Sequence, residues 1–113
     1  NLQRVHESVR SYAKQRPQTL CMTHCSHFYA QGTNLYFIFI LRPESEEEFF
    51  RFRSGAVDRM VAAGGSISHH HGIGRMFAPW MERHLGAEQL AVLRALKRPF
   101  DPNGIMTPGS GML

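Results

Sequence analysis

Apolar residues recur at helical spacing from the start of the chain. Leu2, Val5, Val9 and Tyr12 share one face of the stretch from Leu2 to Gln15, and Pro17 closes it because proline has no amide to continue the ladder. The spacing predicts a helix. From Leu20 to Tyr29, and again from Leu35 to Leu41, β-branched and aromatic residues take over, with Ala30 to Thr33 between them supplying turn chemistry. A hairpin is expected. In its second strand Leu35, Phe37, Phe39 and Leu41 alternate with Tyr36, Ile38 and Ile40, so both faces are apolar and a central strand covered on both sides is predicted. A four-residue connection pairs Tyr29 with Asn34 and sets Tyr36 opposite His27.

Ser45 followed by Glu46, Glu47 and Glu48 reads as a capping box, in which serine and the third glutamate satisfy each other's free amides and the acidic charge favours a helix start. A helix from about Glu46 to Ala63 follows. Its apolar stripe is Phe49, Phe52, Ala56, Met60 and Ala63, and Gly64-Gly65 ends it. Further on, Arg75 to His84 and Ala87 to Lys97 read as two short helices, and the tail Asp101 to Leu113 is turn-rich. The order predicts an α+β fold, part of a ferredoxin-like cap domain (helix, hairpin, helix) followed by C-terminal helices.

Composition narrows the class. The chain has 113 residues, enough for one domain, and 42% apolar content is ordinary for a globular protein. It opens at Asn1 directly into an amphipathic pattern, which predicts a piece of a longer protein. No apolar run approaches the roughly 18 residues of a membrane span. Lysine and arginine number 13 against 9 acidic residues, a balance of +4, but they are dispersed and not interleaved with aromatics, so nucleic acid is not an expected partner. Cys21 and Cys25 lie four apart on one strand, too far for a comfortable bridge. Free thiols and a reducing compartment are expected.

The candidate chemistry centres on GGSISHHHGIGR, Gly64 to Arg75. In an extended segment adjacent side chains point to opposite faces, so only His69 and His71 of the three histidines converge. A metal would then need ligands from elsewhere, with His24, His27 and Cys25 the available donors, and no metal is assigned. Gly72 and Gly74 let backbone approach a ligand closely, ahead of a helix whose first amides favour negative charge. Tyr36, read from the residues alone, is a strand tyrosine whose hydroxyl needs a partner.

Three motifs together, SHFYAQGTNLYFIF, GGSISHHHGIGR and the closing DPNGIMTPG, resemble the C-terminal part of FAD-linked oxidases of the vanillyl-alcohol oxidase superfamily. Within it, SHHHG is similar to the alkylglycerone-phosphate synthase family, which forms the ether bond of ether lipids. The metal-dependent branch acting on 2-hydroxy acids has motifs resembling HxGDGNLH and GEHGIG. By that comparison His27 stands at the first motif histidine, Tyr36 at the second, and His70 where a glutamate belongs. The carboxylate that a hard cation prefers is thereby lost.

The resemblance implies Tyr36, His69, His70 and His71 as catalytic residues. It implies Gly72, Gly74 and Asn103 as contacts to the cofactor FAD, and His27 and Arg75 as substrate contacts. The implied reaction exchanges the acyl group of acyl-dihydroxyacetone phosphate for a fatty alcohol, without net oxidation. The alternatives are an FAD-linked oxidase or dehydrogenase of a hydroxy acid or alcohol, and a non-catalytic metal-binding or interaction module. Imidazole serves as acid or base near neutral pH, whereas a phenol ordinarily keeps its proton there and needs a cation or flavin beside it. The partner implied is the FAD-binding domain of the same parent protein, since no glycine-rich pyrophosphate loop occurs here. The substrate is lipid-like or phosphorylated, and a homodimer stays open. The setting is cytoplasmic in a bacterium, with peripheral membrane attachment open, or peroxisomal in a eukaryote.

Overall fold

Four elements in the first half of the chain occur in the expected order. The computed structural model describes residues 1–106 and 108–109, which fall into two units, Asn1–Ser66 and Ile67–Leu113. The first contains α1 (Leu2–Lys14), β1 (Leu20–Tyr29), β2 (Gly32–Ile40) and α2 (Glu46–Ala62). This helix, hairpin, helix arrangement is α+β.

The core of this unit forms where the two helices meet one face of the hairpin. Val5, Val9 and Ala13 of α1 are buried, as are Phe52, Ala56 and Val57 of α2. Phe52 stacks on Tyr12 with ring centroids 5.5 Å apart and meets Phe39 of β2 edge-on at 5.3 Å. Phe37 stacks on His6 of α1 at 6.2 Å. The stripe on α2 differs from the expected one: Val57 joins it, while Phe49 is 39% exposed. Phe52 is the phenylalanine that meets Tyr12 and Phe39, so geometry rather than hydrophobicity decided among the phenylalanines.

The ends of α1 and α2 tie to each other in antiparallel sense. Gly64 has φ +81° and its amide bonds to the Val61 carbonyl at 2.9 Å, while the Gly65 amide bonds to that of Met60 at 3.0 Å. This is a Schellman ending, and its left-handed residue favours glycine. Side chains of α1 take up further carbonyls there. Asn1 Nδ2 donates to Gly64 at 2.7 Å, Arg4 Nε to Ala63 at 2.9 Å, and Ser8 Oγ to Arg59 at 3.1 Å.

At the other end Ser45 Oγ accepts from the Glu48 amide at 3.1 Å, the expected half of the capping box. The reciprocal half lands one residue early, on the Glu44 amide at 2.6 Å. Glu48 also accepts from Arg16 Nε at 2.9 Å, and Arg16 donates onward to Thr19 Oγ1 and the Arg42 carbonyl. One guanidinium thus joins the end of α1 to the residues just before β1 and just after β2, and to the start of α2.

The hairpin departs from its expected register. Its connection is only Ala30-Gln31, and the pairs are Tyr29↔Gly32, Ser26↔Asn34, His24↔Tyr36, Met22↔Ile38 and Leu20↔Ile40. From Ser26 to Tyr29 β1 takes three steps while β2 takes two, so β1 carries an extra residue at His27-Phe28. His27 has φ +54°. Neither turn residue has positive φ, so the turn lacks the primed geometry that matches strand twist, and the bulge supplies that twist instead. The short turn and the bulge together put Tyr36 opposite His24, not His27. β2 is also not covered on both sides. In this two-stranded sheet Leu20, Met22, Ile38 and Ile40 are each more than 40% exposed on the face away from the helices.

The second unit contains α3 (Gly74–Phe77), a 3₁₀ turn (Ala78–Trp80), α4 (Met81–Leu85) and α5 (Ala87–Phe100). The single helix expected from Arg75 to His84 is therefore broken, with Pro79 inside the 3₁₀ turn where its missing amide is tolerated. α5 runs beyond its expected end at Lys97 and holds Pro99 in its last turn. Trp80, Met81 and Leu90 are buried. Asp101 is buried as well and organises the following turn. Its carboxylate accepts the amides of Ile105 at 2.8 Å and Met106 at 3.3 Å, and pairs with Lys97 Nζ at 2.9 Å. Of the turn-rich tail expected to Leu113, residues 107 and 110–113 lie outside the described residues. Among the described residues no helix is long and apolar enough to cross a membrane.

Two stability predictions follow from this packing. A Cβ on Gly55 would run into the Tyr12 phenol, which is held between Phe52 and the Arg59 guanidinium, 5.9 Å from its centroid. Alanine gains about 1 kcal/mol of helix propensity over glycine, while overpacking costs about 1–3 kcal/mol. Gly55→Ala is therefore expected to destabilise, read as a lower denaturant midpoint.

The second concerns acid. The Glu44 amide and Arg16 hold Glu48 below the usual carboxylate range, and Lys97 with the Met106 and Ile105 amides does the same for Asp101. Both folded-state values lie below the unfolded ones, so the stability they add is present above the unfolded values, about 4. It is lost as pH falls through the folded values. The melting temperature should hold from pH 7 to about 5 and then drop, and Glu48→Gln with Asp101→Asn should flatten that drop.

Candidate active site

In the first unit three chemistry-bearing side chains gather on the open face of the hairpin. His24 and Tyr36 are directly opposed across the strands, with ring centroids 5.7 Å apart. His27, three residues after His24, would face the helices if the alternation continued. The bulge and its positive φ turn it back, and its ring lies 6.4 Å from that of Tyr36. Ser26 Oγ and His27 Nδ1 are 2.8 Å apart, a hydrogen bond that orients the imidazole. Two imidazoles of β1 thus lie beside the ring of Tyr36. Cys21 points to the helix side, where burial pushes its thiol up against the opposing pull of Arg10 and Lys14. It is not an activated nucleophile. Cys21 and Cys25 are free thiols.

In the second unit the histidine triplet forms a bend rather than an extended run. This corrects the expectation that alternation parts adjacent rings. His69 Nδ1 and His70 Nδ1 are hydrogen-bonded at 2.9 Å, and the rings of His70 and His71 pack edge to face with centroids 4.2 Å apart. A bond between two Nδ1 atoms requires one to donate and the other to accept, so the contact couples the tautomers of the two rings. Ser68 Oγ donates to the Gly72 carbonyl at 3.0 Å, closing the loop behind the triplet and leaving all three rings exposed.

Gly72 and Gly74 have φ +72° and +55°, and a Cβ on either would meet open space. The glycines are needed for conformation, and they leave room for a flat ligand to approach the backbone. The helix that follows has only four residues, so the expected anion cradle at a helix start is not formed. Arg75 Nη2 donates to the Pro108 carbonyl at 2.8 Å, fastening the tail, and Asn103 is exposed in the turn organised by Asp101.

The profile of the family described as FAD linked oxidases, C-terminal domain, matches residues 1–110. The chain belongs to this family. Its cofactor is FAD. Among curated relatives, the uncharacterized FAD-linked oxidoreductase YgcU of Escherichia coli O157:H7 is 36% identical over 99 residues, 81% of this chain and 20% of its own length. The alkyldihydroxyacetonephosphate synthase of Dictyostelium discoideum is 36% identical over 95 residues, 81% of this chain and 15% of its own length. Glycolate oxidase subunit GlcD of Bacillus subtilis is 40% identical over 52 residues, covering 46% of this chain and 11% of that protein. The chain thus spans a fifth or less of each of these relatives. Sequence reasoning weighed His24 only as a metal donor and missed its pairing with Tyr36. The signal lay in the turn length, which sets the register.

Proposed function

We propose that this chain is the substrate-side part of an FAD enzyme of alkyldihydroxyacetonephosphate synthase type. Such an enzyme exchanges the acyl group of acyl-dihydroxyacetone phosphate for a fatty alcohol, with the FAD-binding domain supplied by the same parent protein. The observation that carries the reading is Tyr36 on the open sheet face with the rings of His24 and His27 beside it, 5.7 and 6.4 Å away. A phenol and imidazoles suit proton transfer at a carbon beside a carbonyl better than they suit a hard cation. The broad coverage by relatives named as synthases supports the same reading.

In this scheme a proton leaves the carbon beside the ketone, and the acyl group departs as a carboxylate with the electron pair of its bond to that carbon. The alcohol oxygen bonds there after losing its own proton, and a proton is returned to the carbon. Tyr36 acts as the base at carbon, and His69, His70 and His71 supply acid and base for the carboxylate and alcohol. His27 and Arg75 contact the substrate, and Gly72, Gly74 and Asn103 contact the cofactor. FAD, when bound, supplies electronic stabilisation of the three-carbon fragment. The exposed apolar rows Leu20, Met22, Ile38 and Ile40 agree with a face that the rest of the parent protein covers.

A second reading, net oxidation of a hydroxy acid or alcohol, draws on the relatives named as FAD-linked oxidoreductase and glycolate oxidase subunit. Anaerobic mixing of the full-length holoenzyme with palmitoyl-dihydroxyacetone phosphate and hexadecanol separates the two. The synthase reading expects ether product with no net loss of flavin absorbance at the end of turnover. Stoichiometric bleaching by D-lactate or glycolate, with no ether formed, favours the oxidase.

A further inference from the structure

Four pairs line the open face of the hairpin by alternation, Leu20–Ile40, Met22–Ile38, His24–Tyr36 and Ser26–Asn34. The first two are apolar on both strands, the last is polar, and between them one pair sets the imidazole of His24 against the phenol of Tyr36. Their rings are 5.7 Å apart and inclined by 37°, within the range of aromatic contact. His27 approaches the same phenol from the bulge, held by Ser26. If the column merely continued a packing surface, an aliphatic residue at position 24 would serve as Leu20 and Met22 do.

We propose that His24 is a positioning residue for Tyr36: it fixes the phenol from across the ladder and offers a nitrogen to the hydroxyl, while His27 approaches the same ring from the bulge. This rests on the catalytic role proposed for Tyr36. The strand pairing makes the placement rigid, because directly opposed residues keep their Cβ atoms about 5 Å apart whatever the loops do. His24 therefore acts through Tyr36 and not through the substrate.

The test is a double-mutant cycle on the full-length holoenzyme, with palmitoyl-dihydroxyacetone phosphate and hexadecanol as substrates and flavin retention checked in every variant. His24→Phe keeps a ring without a nitrogen, and His24→Met fits the apolar column without either. Both should lower kcat by about tenfold with KM changed less than about twofold, and His24→Gln should recover most of the loss. In a Tyr36→Phe background the same changes should add almost nothing, because contacting residues do not act independently. Full activity in H24F and H24M, losses that multiply with Y36F, or an effect on KM alone would overturn the proposal. Unchanged turnover in Y36F itself would remove the functional reading and the proposal with it.

A measurement without turnover separates the pairing from the reaction. With ring-labelled tyrosine, the Tyr36 signals should move in H24M and stay in place in a Met22→Leu control. That shift in an enzyme inactive on these substrates retains the pairing and discards the synthase reading, whereas no shift discards the pairing.

Discussion

Replacing Tyr36 with phenylalanine is expected to slow the full-length holoenzyme by about 10²-fold or more, the usual contribution of a positioned acid–base group. The substitution removes one oxygen and keeps the ring, so the contacts to His24 at 5.7 Å and His27 at 6.4 Å survive. β2 keeps its ladder, because backbone pairing does not depend on the hydroxyl. Flavin content and KM should therefore hold while kcat falls. His71→Ala is expected to act in the same direction through the other unit, where it removes a ring packed 4.2 Å from His70. Steady-state rates with flavin absorbance as the folding control decide the matter. Wild-type turnover in both variants would withdraw Tyr36 and the triplet from the chemistry.

How far the sequence could be read depended on the range of the interactions involved. The ends of α2 were legible because Ser45, Glu48 and Gly64 act on backbone within a few residues of themselves. The hairpin was legible as an element, yet its register was not. Whether Gly32 and Thr33 belong to the loop or to the strand depends on φ at Ala30 and Gln31, and composition does not fix that. A bulge at His27 is harder still, since its left-handed backbone occurs at a histidine where no glycine announces it. The histidine triplet was recognisable as chemistry, but its bend follows from the Ser68 to Gly72 closure and could not be read from alternation. The same limit applies to Arg16, whose partners Glu48 and Arg42 lie far along the chain.

The largest loss of stability is expected at Phe52. Its side chain is 7% exposed, stacks on Tyr12 and meets the edge of Phe39, so it joins α1, α2 and the hairpin at one point. Removing a buried phenylalanine ring costs about 3–5 kcal/mol, which combines lost transfer energy with the cavity left behind. Collapse is hindered here, because Tyr12 is already held by Arg59 and Phe39 is fixed by pairing with Cys21. The cost of Phe52→Ala should accordingly sit toward the upper end of that range. Against a total stability of about 5–15 kcal/mol, such a loss leaves a substantial fraction unfolded or a sharply lower guanidinium midpoint. Phe50 is the control. It lies two residues away on the same helix and is 48% exposed, so Phe50→Ala should cost about 1 kcal/mol or less. Equal losses at both positions would mean that the hairpin does not rest on α2 through Phe52, and the register that places Tyr36 against His24 would lose its support with it.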